Sequence, residues 1–168
     1  METIRIINTG GTFNKRYDPV AGELVVPRDD RAVEAALASL RGNLDIAVEG
    51  VLYKDSLEME DADRAALCDL AARAAEDAVV IVHGTDTMDR SARALAAWVQ
   101  IAGEKRVVLT GAMVPFSIDP TEATANLVSA VTAVRYLPPG VYVAMHGLVL
   151  PHDEIRKNRE RGMFERIV

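Results

Sequence analysis

Apolar and polar positions follow two different periods along the 168 residues. Short runs rich in β-branched residues, at 4–7, 79–82, 107–109 and 141–145, predict strands, and the longer stretches between them repeat at helical spacing. Continuous apolar runs are what a sheet buried on both faces produces. The pattern therefore predicts an α/β domain, a mostly parallel sheet with helices on both faces. Four stripes supply the covers: Val33, Leu37 and Leu40; Leu67, Leu70, Ala71 and Ala74; Leu95, Trp98, Val99 and Ala102; Leu127, Val128, Val131 and Val134. The last helix carries a start signal, with Asp119 as cap, Pro120 at the first helical position and Glu122 completing a capping box. Pro138-Pro139-Gly140 reads as a turn into the strand that follows. Two stretches resist assignment: the turn-rich 15–22, of the kind that forms lids, and the charged tail from Pro151 onward.

The length suits one domain of the usual ~100–200 residues, and no repeat or linker divides it. Hydrophobic residues at 49% and charged residues at 26% argue for a folded globular chain rather than a disordered one. A net charge of -6 disfavours nucleic acid and anionic membrane as partners, since both need a dense positive surface. No apolar run approaches the ~20 residues of a membrane-spanning helix, and residues 3–8, with Arg5 among them, read as a strand rather than a secretion signal. The expectation is a cytoplasmic protein. Cys68 stands alone in an alanine-rich helical stretch and reads as a small buried side chain.

Three of the strand-like runs end in small polar residues: Asn8-Thr9-Gly10-Gly11-Thr12, His83-Gly84-Thr85-Asp86-Thr87 and Thr110-Gly111-Ala112-Met113. In an open α/β sheet the ligand crevice lies at the carboxyl ends of the strands, so these loops are expected to meet there. Any one Gly-Thr pair is also ordinary turn chemistry; three at one sheet edge favour a site. The glycine-rich nucleotide fingerprint, the P-loop and the serine-hydrolase elbow are all missing from the sequence. His83, Asp86 and Asp89 match no metal-ligand spacing, so no metal is expected and His83 is assigned a hydrogen bond within its loop. A threonine nucleophile needs a base to take its proton, and Tyr17, Thr85 and Lys157 are candidates for that work. Lys157, within Arg156-Lys157-Asn158-Arg159, reads on its own as part of a solvated basic face.

Thr9-Gly10-Gly11-Thr12 together with His83-Gly84-Thr85-Asp86-Thr87-Met88 resembles the bacterial-type asparaginase and glutaminase-asparaginase family. Asp55-Ser56-Leu57-Glu58-Met59, Leu109-Thr110-Gly111-Ala112-Met113 and Ala144-Met145 leading to Lys157 extend the resemblance over nearly the whole chain. It covers only the family's larger N-terminal domain; the usual second domain has no counterpart in these residues. The resemblance implies hydrolysis of L-asparagine to aspartate and ammonia through a threonine acyl-enzyme, with no cofactor. Thr12 would be the nucleophile, Tyr17 its helper on a mobile flap, and Thr85, Asp86 and Lys157 a second catalytic group. Substrate would lie against Gly11, Ser56, Gly84, Thr85 and Asp86, with Ser56 on the α-carboxylate and Asp86 on the α-ammonium. Leu57 departs from the glutamine of many members, and Glu58 is assigned part of the ammonium recognition that the missing domain would supply; the alternative is that Glu58 opens the next helix. A broader glutaminase-asparaginase, and a silent amino-acid-binding domain or enzyme fragment, are the competing functions. The apolar Met163, Phe164, Ile167 and Val168 further predict a homo-oligomer.

Overall fold

The computed structural model describes residues 2–167, with 100–102 described for the backbone alone. Five parallel strands form the core of a six-stranded sheet: β1 (Ile4–Gly10), β4 (Ile46–Lys54), β5 (Ala78–Val82), β6 (Arg106–Thr110) and β7 (Gly140–Met145). β8 (Leu148–Pro151) closes one edge antiparallel to β7, giving the order β4-β1-β5-β6-β7-β8. Two small hairpins stand outside the sheet, β2 (Arg16–Asp18) with β3 (Glu23–Val25), and β9 (Ile155–Asn158) with β10 (Met163–Arg166).

The covering helices are α1 (Arg31–Leu37), α2 (Asp61–Arg73), α3 (Met88–Ala102) and α4 (Pro120–Ala133). Val33 and Ala36 of α1 join Ala123, Leu127 and Val131 of α4 in one buried cluster, against Ile4, Ile6, Val80 and Val108 of the sheet. Leu67 and Ala71 of α2 join Leu95 and Val99 of α3 in a second cluster, against Ile7, Val79, Ile81 and Leu109. Successive strand residues point to opposite clusters, so β5, wholly buried, must be apolar at every position. That is why its run is continuous in the sequence.

Two helix starts differ from the sequence reading. Asp119 caps α4 by accepting from the Thr121 N–H at 2.9 Å, but Glu122 does not complete a capping box. Its two oxygens instead accept from the Met113 and Val114 N–H groups, at 2.7 and 2.9 Å. The capping box belongs to α2, where Glu60 and Asp63 exchange backbone bonds. Glu58 therefore opens no helix; it ends a 3-10 turn at Ser56–Glu58.

The tail also differs. Phe164 is 4% exposed and packs edge-on against His146 within the chain's own core, so it offers no surface to a partner. Ile167 keeps 44% exposure, and Val168 lies outside the described residues. The apolar support for an oligomer narrows accordingly. Cys68 is half-buried in α2, where burial pushes its thiol pKa up.

Candidate active site

The order β4-β1-β5 places the topological switch between β1 and β5, because the chain moves one way from β1 to reach β4 and the other way to reach β5. A crevice opens at such a point at the carboxyl ends of the strands. The loops leaving β1 and β5 are Gly11-Thr12 and His83-Gly84-Thr85-Asp86, two of the three loops singled out in the sequence. They touch. A Cβ added at Gly11 would stand 2.5 Å from the Gly84 nitrogen, and Gly11 holds φ at +69°. Gly84 in turn meets the next element: a Cβ there would stand 2.6 Å from Cβ of Ser56. Three segments distant in sequence converge because two glycines lack side chains at the contacts.

The approach of Ser56 depends on β4. Its pairing with β1 slips after Asn8, and Leu52 and Tyr53 take positive φ values of 63° and 50°. The bulge lets Lys54 align with Gly10, and its carbonyl accepts the Gly11 N–H at 2.9 Å. That N–H is consequently committed to the backbone and is not a donor for substrate. Ser56 is 2% exposed; its hydroxyl accepts from the Thr87 N–H at 3.3 Å, and its carbonyl accepts the Thr87 hydroxyl at 2.8 Å. Arg64, donating from α2 to Thr87 at 3.1 Å, fastens the same corner.

Lys157 comes from the β9–β10 hairpin. Its Nζ donates to the Thr85 hydroxyl at 2.9 Å and to Asp86 Oδ1 at 2.8 Å, with its side chain 14% exposed. The solvated basic face expected from the local sequence is thus overturned for this residue. Arg159, which the sequence reading left in that basic run, also reaches the site: it donates to the same Asp86 Oδ1 and, at 3.0 Å, to the Asp86 carbonyl. Asp86 consequently faces two cations. The Lys157 bond above all, and then Arg159, hold its carboxyl below the usual carboxylate range, with burial opposing.

The remaining expected residues sit as follows. Thr12 is half-buried at the start of a 3-10 turn, and Tyr17 is 64% exposed on the β2–β3 hairpin; neither hydroxyl bonds to a described residue. The sequence stretch that resisted assignment is this hairpin, anchored at its base by the Lys15–Asp55 ion pair at 2.8 Å. Glu58 is exposed and its side chain bonds to no described residue. His83 is fully buried: its Nδ1 lies 2.7 Å from the Gly84 carbonyl and its Nε2 2.7 Å from the Ser91 hydroxyl. A carbonyl only accepts, so Nδ1 carries the proton and Nε2 accepts from Ser91. Burial lowers the imidazole pKa to about 4, which keeps it neutral. His83 braces the loop within the loop, as expected. Among the described residues no cluster of metal-ligating side chains forms, and no helix is long and apolar enough to cross a membrane.

A cleft of about 480 Å3 opens beside Thr85, Asp86 and Lys157, with Met88, Val143, Ile155 and Phe164 among its apolar walls. Thr12, Gly11 and Ser56 do not line it. The hydroxyl, carboxylate and ammonium of this group can hand a proton along Thr85 to Lys157 while Asp86 orients the amine.

The sequence profile of the family described as "Asparaginase, N-terminal" matches residues 3–165. Among curated relatives, a glutamyl-tRNA(Gln) amidotransferase subunit of Methanococcus maripaludis is 34% identical over 155 residues, covering 88% of this chain and 35% of the relative. Among solved structures, the thermostable L-asparaginase of Thermococcus kodakarensis superposes with a TM-score of 0.83 at 26% identity, over 98% of this chain and 51% of that one. The probable cytoplasmic L-asparaginase of Campylobacter jejuni gives 0.81 at 29%, over 99% and 53%. The chain thus spans about a third of the amidotransferase polypeptide and about half of each asparaginase. On the strength of the profile match along almost its full length, the chain belongs to the asparaginase family, whose N-terminal domain it represents.

Proposed function

We propose that the chain is an amidohydrolase that releases ammonia from the side-chain amide of L-asparagine through a threonyl ester. The observation that carries the proposal is the double contact of Lys157 Nζ with the Thr85 hydroxyl and Asp86, at 2.9 and 2.8 Å. A lysine with its side chain only 14% exposed, held between a hydroxyl and a carboxylate, is placed to act as a base. In this reading Thr12 Oγ attacks the amide carbon and its proton leaves with the amide nitrogen as ammonia. Water then attacks the β-aspartyl ester, giving up a proton through Thr85 to Lys157, and that proton returns by the same route to Thr12 Oγ as the ester bond breaks; aspartate departs with Thr12 and Lys157 both restored. Tyr17 assists Thr12 when the β2–β3 hairpin closes. In this reading the Gly84 and Thr85 N–H groups, which donate to no described acceptor, are the donors left for the developing oxyanion.

Substrate recognition rests on Ser56 for the α-carboxylate, with Gly11 and Gly84 holding their loops close enough to bring Ser56 to the substrate. Asp86 takes the α-ammonium through Oδ2, since Oδ1 already serves Lys157 and Arg159. The exposed Glu58 adds a second acceptor for that ammonium. A homo-oligomer, covering Ile167, accompanies this reading.

A second reading follows from the 34% identity to an amidotransferase polypeptide: the same chemistry, supplying ammonia to a partner protein. Ammonia release from free asparagine and glutamine by the purified chain separates the two. Turnover of asparagine, lost in Thr12→Ala, is the expected result. Failure with both free amides would pass the chemistry to the second reading, and preference for glutamine would make the chain a broader glutaminase-asparaginase.

A further inference from the structure

Asp86 Oδ1 accepts from two cations at once, Lys157 and Arg159, although one would neutralise it. The second guanidinium nitrogen of Arg159 fixes it further on the Asp86 carbonyl at 3.0 Å, so the fork is held by two bonds to one residue. A base is useful only after losing its own proton. Once Lys157 is an amine, its lone pair accepts the Thr85 hydroxyl and one of its N–H groups still reaches Asp86. The substrate's α-ammonium meets only Oδ2, so Oδ1 then has no cation of its own unless a second one is present, and charge left uncompensated in a partly buried site pulls the proton back onto the lysine.

We infer that Arg159 is a positioning residue for the amide hydrolysis proposed above, keeping Asp86 compensated while Lys157 is neutral so that Lys157 serves Thr85 as a base. The inference rests on that reading of the site. Other charges face Lys157 from every element around it. Asp86 comes from the loop after β5, and Asp89 and Arg93 come from α3, paired with each other at 3.1 Å. His152 and Asp153 come from the turn before β9, and Arg156 shares the hairpin but is paired with Glu165 at 2.9 Å. Asp55, across the crevice, is paired with Lys15. Of these cations only Lys157 and Arg159 bond to Asp86. Arg159 is thus the protein's own cation that remains on Oδ1 when Lys157 gives up its charge.

The test compares wild type, Arg159→Met and Arg159→Lys for ammonia release from asparagine between pH 5 and 11, so that both the limb and the plateau of the profile are covered. Removing a neighbouring cation that is itself 62% exposed should move the acid limb of the kcat profile upward by about 0.5–1 pH unit. At pH 7 kcat should fall about three- to tenfold, because the neutral fraction of the lysine falls by the same factor, with KM little changed. Arg159→Lys should recover most of the shift. A kcat reduced equally at every pH would mark a merely structural role and overturn the inference, as would an unmoved profile. If wild type releases no ammonia from asparagine, the reading of free asparagine as substrate falls by itself. NMR titration of the Lys157 side chain in wild type and Arg159→Met then decides: an upward move of the midpoint supports the counter-ion role, and an unchanged midpoint overturns it.

Discussion

Gly11 and Gly84 lie in backbone contact across the switch point, so close that a methyl group on Gly11 would meet the Gly84 nitrogen at 2.5 Å. Gly11→Ala must therefore separate the two loops and also hold an unfavourable φ of +69°. The left-handed backbone alone costs about 1 kcal/mol or more, and parting the loops adds to it. Urea denaturation should show a loss of about 2–4 kcal/mol, in the range of strained and overpacked substitutions. Amide hydrolysis should fall by at least about 100-fold, since an ångström of misplacement is felt at that level.

Lys157→Met keeps the length of the side chain and removes the amine. The variant leaves Asp86 with Arg159 as partner, so it should fold. Its kcat should fall by about 10^2–10^4, the usual worth of a general base, with a much smaller change in KM. Circular dichroism alongside steady-state kinetics checks both halves; a kcat within tenfold of wild type would remove Lys157 from the reaction.

His83 predicts a pH dependence of stability. Its folded pKa of about 4 lies below the unfolded value of 6.5, so the native state holds the neutral ring while the unfolded chain gains a proton as pH falls. The stabilisation is complete above pH 6.5 and is lost between about 6.5 and 4, amounting to roughly 3 kcal/mol in full. Chemical denaturation at pH 7 and pH 4.5 should give a smaller difference for His83→Gln than for wild type. Equal differences would mean the ring does not set the slope.

Glu122 accepts from the Met113 and Val114 N–H groups and lies 2.9 Å from His146 Nε2. Since His146 Nδ1 accepts from the Phe164 N–H at 3.0 Å, the proton sits on Nε2 and is donated to Glu122. Glu122→Gln replaces one acceptor oxygen by a donor facing N–H groups. A stability loss of about 1–3 kcal/mol is expected, the cost of an unsatisfied charged-group hydrogen bond, measurable as a lower urea midpoint.

The strands at 79–82, 107–109 and 141–145 were legible because burial on both faces leaves continuous apolar runs. β4 was not: its Glu49 and Gly50 interrupt the pattern of a partly buried strand at the sheet edge, and its bulge hides the period. Glu122 fitted a capping box by spacing, yet a longer-range pair of N–H groups outcompeted the local one, which no spacing reveals. The loops of the site were readable as small polar residues at strand ends. Arg159 was not, because its neighbours in sequence are charged and its partner lies seventy-three positions away. The signal available was only that a basic run containing Lys157 would bring its other members near the same place.

Lys157 rides on a two-stranded hairpin outside the six-stranded sheet that carries Thr85 and Thr12. Such a hairpin is marginal by itself and depends on its fastenings, here Ile155 and Phe164 buried against the sheet, the Phe164 N–H on His146, and the bonds of Lys157 and Arg159 to the loop after β5. It can therefore detach at less cost than melting the sheet. On warming, activity should fade while the far-ultraviolet signal of the helices still holds, and the Phe164 amide should exchange its hydrogen before those of β5. Heat inactivation of this chain thus begins as the departure of a base from an otherwise standing scaffold.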